Sequence, residues 1–390
     1  MSTPASNATP RALDILCDEP FRIFFPLGLL CSLIGVSHWL WYYSGLIETF
    51  SCTYHGLLQM QGFQTAFAVG FLMTALPRFM EVPGARPWEL ALGVGLFICS
   101  FLGLYLEDWV LAEVGFLALI LHITIFALRR FRRRRDTPPV AFLFIPFGLL
   151  HAFVGGLLIL WRLQGFVKLG HRLVEQGMVL CFVMGIGAYL GPRLMGLVRP
   201  DTEAPGSSRL KAALFILAGI SVFASFWIET ALSEPSGRLL RALVVGAILL
   251  TTVRIFRLPR RPLWHLRGLW LSFWCVILGQ LLSGVFPDYE VAALHVTFIG
   301  GLALLTLTIA TRVTVSHCGF EPLWERNSTT LILLVACSVA ALLARLSAAL
   351  YPDHYFGWLH IGAGIWLVGA IPWGAVFLPK LSPRHVSDDD

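Results

Sequence analysis

The feature that most constrains this chain is a run of about 20 apolar residues that recurs about twelve times along its length. Inside a bilayer no water is available to the backbone N–H and C=O groups, so each such run satisfies them internally as a helix. Hydrophobic residues make up 57% of the 390 positions and charged residues 13%, more apolar material than a soluble core of this size uses. The fold class expected is therefore all-α: a polytopic integral membrane protein of about 12 transmembrane helices. The spans read as Ile23 to Ser44, Tyr54 to Leu76, Trp88 to Leu106, Trp109 to Leu128, Val140 to Trp161, His171 to Met195, Leu210 to Thr230, Leu239 to Phe256, Pro262 to Gly284, Val291 to Thr311, Thr329 to Leu350 and Phe356 to Leu378.

Lys and Arg give the orientation. Most of the 29 fall in the N-terminus, the even-numbered loops and the C-terminus, with the run Arg129 to Arg135 and the group Arg254, Arg257, Arg260 and Arg261 dominating. By the positive-inside rule both termini are cytoplasmic. The net charge of +6 is then a matter of topology, and no nucleic acid partner is implied; the partner that the sequence demands is the lipid bilayer. Residues 1–20 are expected to be a disordered cytoplasmic tail, 21–380 a single twelve-helix membrane domain with a polar cytoplasmic link near 199–209, and 381–390 a second cytoplasmic tail. The first 20 residues carry Asp14, Asp18 and Glu19 and no apolar core of a signal peptide. Eight scattered cysteines without a C-x-x-C pair argue against a disulfide framework.

Histidine placement is more specific. With this topology His38, His55, His171, His295, His354 and His360 lie in or beside the non-cytoplasmic ends of spans, and His151 near the middle of span five. Ionisable groups in lipid are costly enough to imply a task or a partner, and imidazole is the commonest protein ligand for metals. One membrane histidine can equally hydrogen-bond a neighbouring helix; clustering on one side favours ligation. His55, His171 and His295 open spans two, six and ten, and those spans close on Arg78, Arg193 and Arg312. The spacing of four spans reads as a weak threefold repeat of four-helix arcs.

Local faces refine the candidates. On span two, His55, Gln59, Gly62, Ala66 and Gly70 recur at helical spacing, a stripe that either leaves room for a flat cofactor or lets a neighbouring helix pack closely. On span six Glu175 stands one turn beyond His171, placed to orient the imidazole, to ligate a metal or to relay a proton. Arg172, with Lys168 and Arg162, is a candidate partner for the propionates of a haem. Candidate metal ligands are His55, His295 and His171, with His38, His151 and His360 weaker. The aromatic groups His38 to Tyr43, Trp109, Trp161 and Trp358 fit an interfacial belt.

Three stretches resemble the NnrS family: Phe21-Arg22-Ile23-Phe24-Phe25, then Gly70 to Pro77, and above all His295-x4-Gly300 running through Thr311-Arg312-Val313-Thr314 to His317-Cys318-Gly319. The resemblance implies a bacterial inner-membrane protein containing haem b and copper or another second metal, tied to nitric oxide metabolism and nitrosative stress, with nitric oxide as its small-molecule partner. This chain is a divergent member. Where the family has Trp-His-x-His-Glu, it has Tyr54-His55-Gly56-Leu57-Leu58; a family histidine near the start of span nine is replaced by Arg267 or displaced to His265; and the family's Gly-His-Thr-Gly-Arg appears as Ser316 to Phe320.

A wider likeness is to haem-copper oxidases and nitric oxide reductases, whose twelve spans form three arcs with haem and copper ligands on spans two, six and ten. The oxidase ligand set is incomplete here, since span seven has no histidine and span ten has one. Three functions stay open on the sequence alone. The first is a haem or haem-copper protein whose haem, held by His55 or His295, binds nitric oxide, with reduction only if an electron donor, unidentified in the sequence, supplies two electrons. The second is a transporter or exporter without redox chemistry, lined by Gln59, Gln61, Gln64, Gln176 and Gln280. The third is an assembly subunit of a respiratory complex.

Overall fold

The computed structural model describes residues 12–162, 164–197, 208–318 and 328–382. Among them the regular structure is entirely helical. A short helix α1 (Ala12–Asp18) precedes α2 (Phe21–Tyr43), α3 (Cys52–Phe79), α4 (Pro87–Tyr105), α5 (Trp109–Arg132), α6 (Val140–Leu160) and α7 (Val167–Leu194). Then come α8 (Ser208–Ala231), α9 (Glu234–Val253), α10 (Trp264–Val285), α11 (Pro287–His317), α12 (Thr329–Leu350) and α13 (Pro352–Leu381).

Eleven of these helices are long and apolar enough to cross a membrane. The remaining predicted span, α3, is equally long but more polar, because His55, Gln59, Gln61 and Gln64 crowd its first half. The protein is thus a multi-pass membrane protein, and its least lipid-like helix is one that the bundle encloses.

Local chemistry starts several helices where the apolar runs begin. Ser51 caps α3 by accepting the Tyr54 N–H, Asp108 caps α5 by accepting the Leu111 N–H, and Glu89 of α4 accepts the Arg86 N–H behind Pro87. Helix α9 ends at Arg254, whose φ of 59° is left-handed and stops the helical hydrogen-bond ladder.

Helix pairing repeats three times. The first two helices of each arc pack together (α2 on α3, α6 on α7, α10 on α11), and the last two form a hairpin (α4 with α5, α8 with α9, α12 with α13). Each arc then abuts the next through α5 with α6, α9 with α10, and α13 with α2, which closes a ring. The three four-helix arcs expected from the spacing of His55, His171 and His295 are this arrangement.

Its centre is occupied by α3, α7 and α11. The most apolar stretches of α7 and α11 are 83% and 78% buried, against 56% or less for the other apolar spans. All three central helices open into wider π turns just after their histidine: Leu58–Gln64 in α3, Leu173–Met178 in α7 and Val296–Ala303 in α11. A π turn adds a residue to the helix and rotates the next turns about the helix axis, a distortion that concentrates at functional sites.

One expectation changes and one open alternative is decided. Residues 12–20 are not a loose tail: α1 buries Cys17, and the Ala85 N–H donates to the Cys17 carbonyl at 3.0 Å. The ordering is electrostatic as well as apolar, because Glu19 is held by Arg22, Arg78 and His317. The small-residue stripe of α3 proves to be a packing seam. Gly62 lies against Cys31 and Gly70 against Phe21 and Phe24 of α2, where an added Cβ would come within 2.9 Å of the Phe21 Cα. Most of the link near 199–209, the far end of the 381–390 tail, and Gly319 and Phe320 lie outside the described residues.

Candidate functional site

Histidines from the three arcs meet at one chamber. A cavity of about 650 Å³ is lined by His55, His171 and His295 together with Glu175, Gln59, Gln64 and Gln176. It sits at the end of the bundle where these histidines open their helices, and its apolar wall includes Trp39, Phe63, Phe298 and Trp366. The size is within the usual range of small-molecule and cofactor sites, about 300–1,000 Å³.

The protonation of two of these imidazoles follows from their neighbours. His55 Nδ1 lies 2.9 Å from the Gly35 carbonyl, and His295 Nδ1 lies 2.6 Å from the Val291 carbonyl one turn earlier in its own helix. A carbonyl only accepts, so in both rings Nδ1 carries the proton and donates, and Nε2 keeps its lone pair. A backbone carbonyl behind Nδ1 is the usual device that orients a metal-binding imidazole. His171 Nδ1 sits 3.3 Å from Glu175 Oε1. Gly56 belongs to the same corner: a Cβ there would lie 3.1 Å from Glu175 Oε1, so glycine lets α3 approach the carboxylate.

The weaker candidates fall elsewhere. His38 Nε2 accepts the Ser51 N–H at 2.9 Å and its ring packs on Tyr54, so it serves the turn before α3. His151 donates from Nδ1 to the Phe147 carbonyl and wedges between α6 and α7, where Gly177 makes room for its ring. His360 stacks on Tyr43 with centroids 4.5 Å apart. None of the three is on the chamber wall.

Arg172 does line the chamber, but its guanidinium is committed. Nε lies 3.2 Å from Glu229, and Nη2 lies 3.2 Å from Glu234 and 3.3 Å from Glu290. Lys168 pairs with Glu234, and Arg162 stands exposed in a turn away from the cavity. None of these three cations is left for a cofactor's acid groups.

Arg172 is instead one edge of a buried network that sequence reasoning missed. Glu229 receives Arg238 Nε on one oxygen and Arg241 Nη2 on the other, each at 2.8 Å. Arg238 also reaches Glu290 at 2.8 Å, and Arg241 Nε donates to Gln280 at 2.9 Å. The network therefore ties α7, α8, α9, α10 and α11 together beside the chamber and fixes the turns that carry His171 and His295. Also unforeseen were Arg345 on the chamber wall and Glu113, fully buried against Gln61 at 2.8 Å. The available signal was simply an ionisable residue inside an apolar span.

Among the described residues no three His, Cys, Asp or Glu side chains converge on one point as a ready-made metal centre. The three histidines face a shared space without forming such a group. At the other end of the bundle His317 Nδ1 donates to Glu19 at 3.0 Å, beside Arg78 Nη2 at 2.7 Å. Burial pushes the Glu19 carboxyl up, but hydrogen bonds from His317, Arg78 and Arg22 outweigh it and hold the group down at about 2.

Among the described residues twelve long helices, eleven of them long and apolar enough to span, close into three arcs around a histidine-lined chamber, and this defines a polytopic helical membrane protein with an interior cavity. A family model described as NnrS protein matches residues 15–384, nearly the whole chain, and the chain belongs to the NnrS family. Membership suggests a role in nitric oxide-related metabolism. No curated protein matches the chain.

Proposed function

We propose that the chamber holds a haem and that the protein acts on nitric oxide by binding it there. The observation that carries this reading is the pair of imidazoles, His55 and His295, each with Nδ1 tied to a carbonyl and Nε2 free, on the wall of one cavity of about 650 Å³. A cavity of this volume whose wall combines aromatic and aliphatic side chains with ligating imidazoles suits a porphyrin, and one imidazole nitrogen would suffice to hold its iron. A copper ion is less well served, since no cluster of three protein ligands is ready to receive it among the described residues.

In this reading His55 or His295 would hold the iron of the haem through Nε2, and the haem would supply the affinity for nitric oxide. The chain's own residues do the rest. Trp39, Phe63 and Trp366 exclude water from the apolar wall, and Gly35 and Val291 keep the two imidazoles in the tautomer that ligates. His171 and Glu175 form a polar pair in the same chamber, able to hold a proton at Nδ1 or at the carboxylate should reduction occur. The protein would sit in a bacterial inner membrane with both termini cytoplasmic and the chamber toward the outer face.

A polar transport route is less well supported. Gln59 is turned back to Ser32, Gln61 is bonded to Glu113 and Gln280 to Arg241, so these amides knit helices together. Past Gln64, which Thr306 ties down at 2.8 Å, the next cavity is small and walled by Phe25, Phe67, Phe71 and Phe182.

The test is purification after haem-replete expression, with the reduced visible spectrum recorded with and without nitric oxide and iron and copper measured per chain. A Soret band that shifts with nitric oxide and changes in His55→Ala or His295→Ala is expected. Absence of any Soret band, or a spectrum indifferent to both substitutions, would overturn the assignment.

A further inference from the structure

Among the described residues Arg345 is a cation without an anion. It projects from α12 into the chamber, is 7% exposed, and its Nη1 is buried with no hydrogen-bond partner. Its aromatic neighbour is Tyr355, with the ring centroid 5.8 Å from Cζ. Both chamber carboxylates are taken: Glu175 by His171, and Glu290 by Arg172 and Arg238. Among the described residues no carboxylate stands within ion-pair distance of it.

A guanidinium stays charged at any physiological pH, and a buried charge left unpaired is strongly destabilising. Nothing in nitric oxide would compensate it, because that molecule is neutral. Arg345 lines the same cavity as His55 and His295, so whatever compensates it shares that space with their free nitrogens.

We propose that Arg345 is the anchor for an anionic oxygen group, a carboxylate or an oxyanion of similar size, on the ligand that the chamber takes. Its planar fork suits such a group, which it binds through two parallel N–H···O contacts. Two sources carry that chemistry. One is a propionate arm of a porphyrin, in which case the inference rests on the haem reading and deepens it; the other is a small free oxyanion, in which case it stands without haem.

The experiment uses the full chain in detergent, as wild type, Arg345→Gln and Arg345→Lys, with thermal midpoints recorded to confirm folding. In one arm haem b and its dimethyl ester, whose propionates are masked, are titrated into porphyrin-free protein and followed by visible absorption. Wild type is expected to prefer haem b by about ten- to a hundredfold, as a charge-assisted hydrogen bond implies. Arg345→Gln should erase that preference and Arg345→Lys should restore part of it. In the other arm formate is titrated without porphyrin, read by tryptophan fluorescence from Trp39 and Trp366 on the chamber wall; a response in wild type that Arg345→Gln abolishes assigns a free oxyanion.

Equal affinity for haem b and its ester together with no formate response in wild type would overturn the proposal, and neither measurement depends on a variant folding. If neither porphyrin binds, the haem reading fails by itself, and the formate arm decides Arg345 separately.

Discussion

Replacing Glu229 with glutamine is the sharpest perturbation of the network that frames the chamber. Glu229, Arg238 and Arg241 are essentially unexposed, so charge removal there cannot be screened by water. Arg238 would keep Glu234 and Glu290, and Arg172 would keep the same two acids. Arg241 would keep only neutral partners: Gln280 at 2.9 Å, Ser225 at 3.3 Å and the Phe226 ring 3.9 Å from Cζ. The new amide would also turn N–H groups toward guanidinium donors. Breaking a buried pair by removing one partner costs about 3–5 kcal/mol, and here nearly all of it falls on Arg241.

Arg241→Met alone should cost less, about 1–2 kcal/mol, because Glu229 retains Arg238 and Arg172. Adding Arg241→Met to Glu229→Gln should recover about 2–3 kcal/mol, since it removes the charge that the first change stranded. Unfolding in mixed micelles with increasing sodium dodecyl sulfate, followed by tryptophan fluorescence, measures all three. The reasoning is refuted if Glu229→Gln is no worse than Arg241→Met, or if the double variant is as unstable as Glu229→Gln.

Further expectations use the same assay or a simple variant of it. Gly237→Ala should destabilise by about 1–3 kcal/mol, because the new Cβ would fall 2.4 Å from the Ser225 carbonyl and 2.5 Å from the Glu229 backbone, forcing α8 and α9 apart; a neutral result would refute that close approach. Glu113→Gln should cost less than about 1 kcal/mol, because the hydrogen-bond partner of Glu113 is the neutral amide of Gln61 and the isostere keeps the shape; a loss as large as that of Glu229→Gln would show an ionic role. Glu19 has its carboxyl depressed from 4.5 to about 2, so its contribution is complete above pH 4.5 and disappears as pH falls toward 2. That contribution is about 3 kcal/mol by linkage, and Glu19→Gln should flatten the acid limb of stability against pH between those values while leaving the neutral region parallel.

Much of the architecture was legible because it follows from one physical constraint. Lipid forces each apolar run into a helix, and the helical positions of His55, His171 and His295, four spans apart, already carried the threefold rhythm of the ring. The polar character of α3 was readable too, through its histidine and three glutamines. The stripe of Gly62, Ala66 and Gly70 was not decidable, because small residues look the same whether a cofactor or the backbone of α2 lies over them. Arg172 read as free for the converse reason: a sequence shows a cation but not the three carboxylates, from α8, α9 and α11, that fold onto it.

The sequence by itself thus determined that the chain crosses a bilayer repeatedly, which helices bring histidines to one end, and which family supplies the likeness. Only the tertiary structure decided that three of those histidines share a chamber while His38, His151 and His360 do not. It alone separated the paired Arg172 from the unpaired Arg345. The reason is that membrane helices are specified one at a time by hydrophobic length, whereas the partner of a buried charge is set by how helices distant in sequence are packed around the ring.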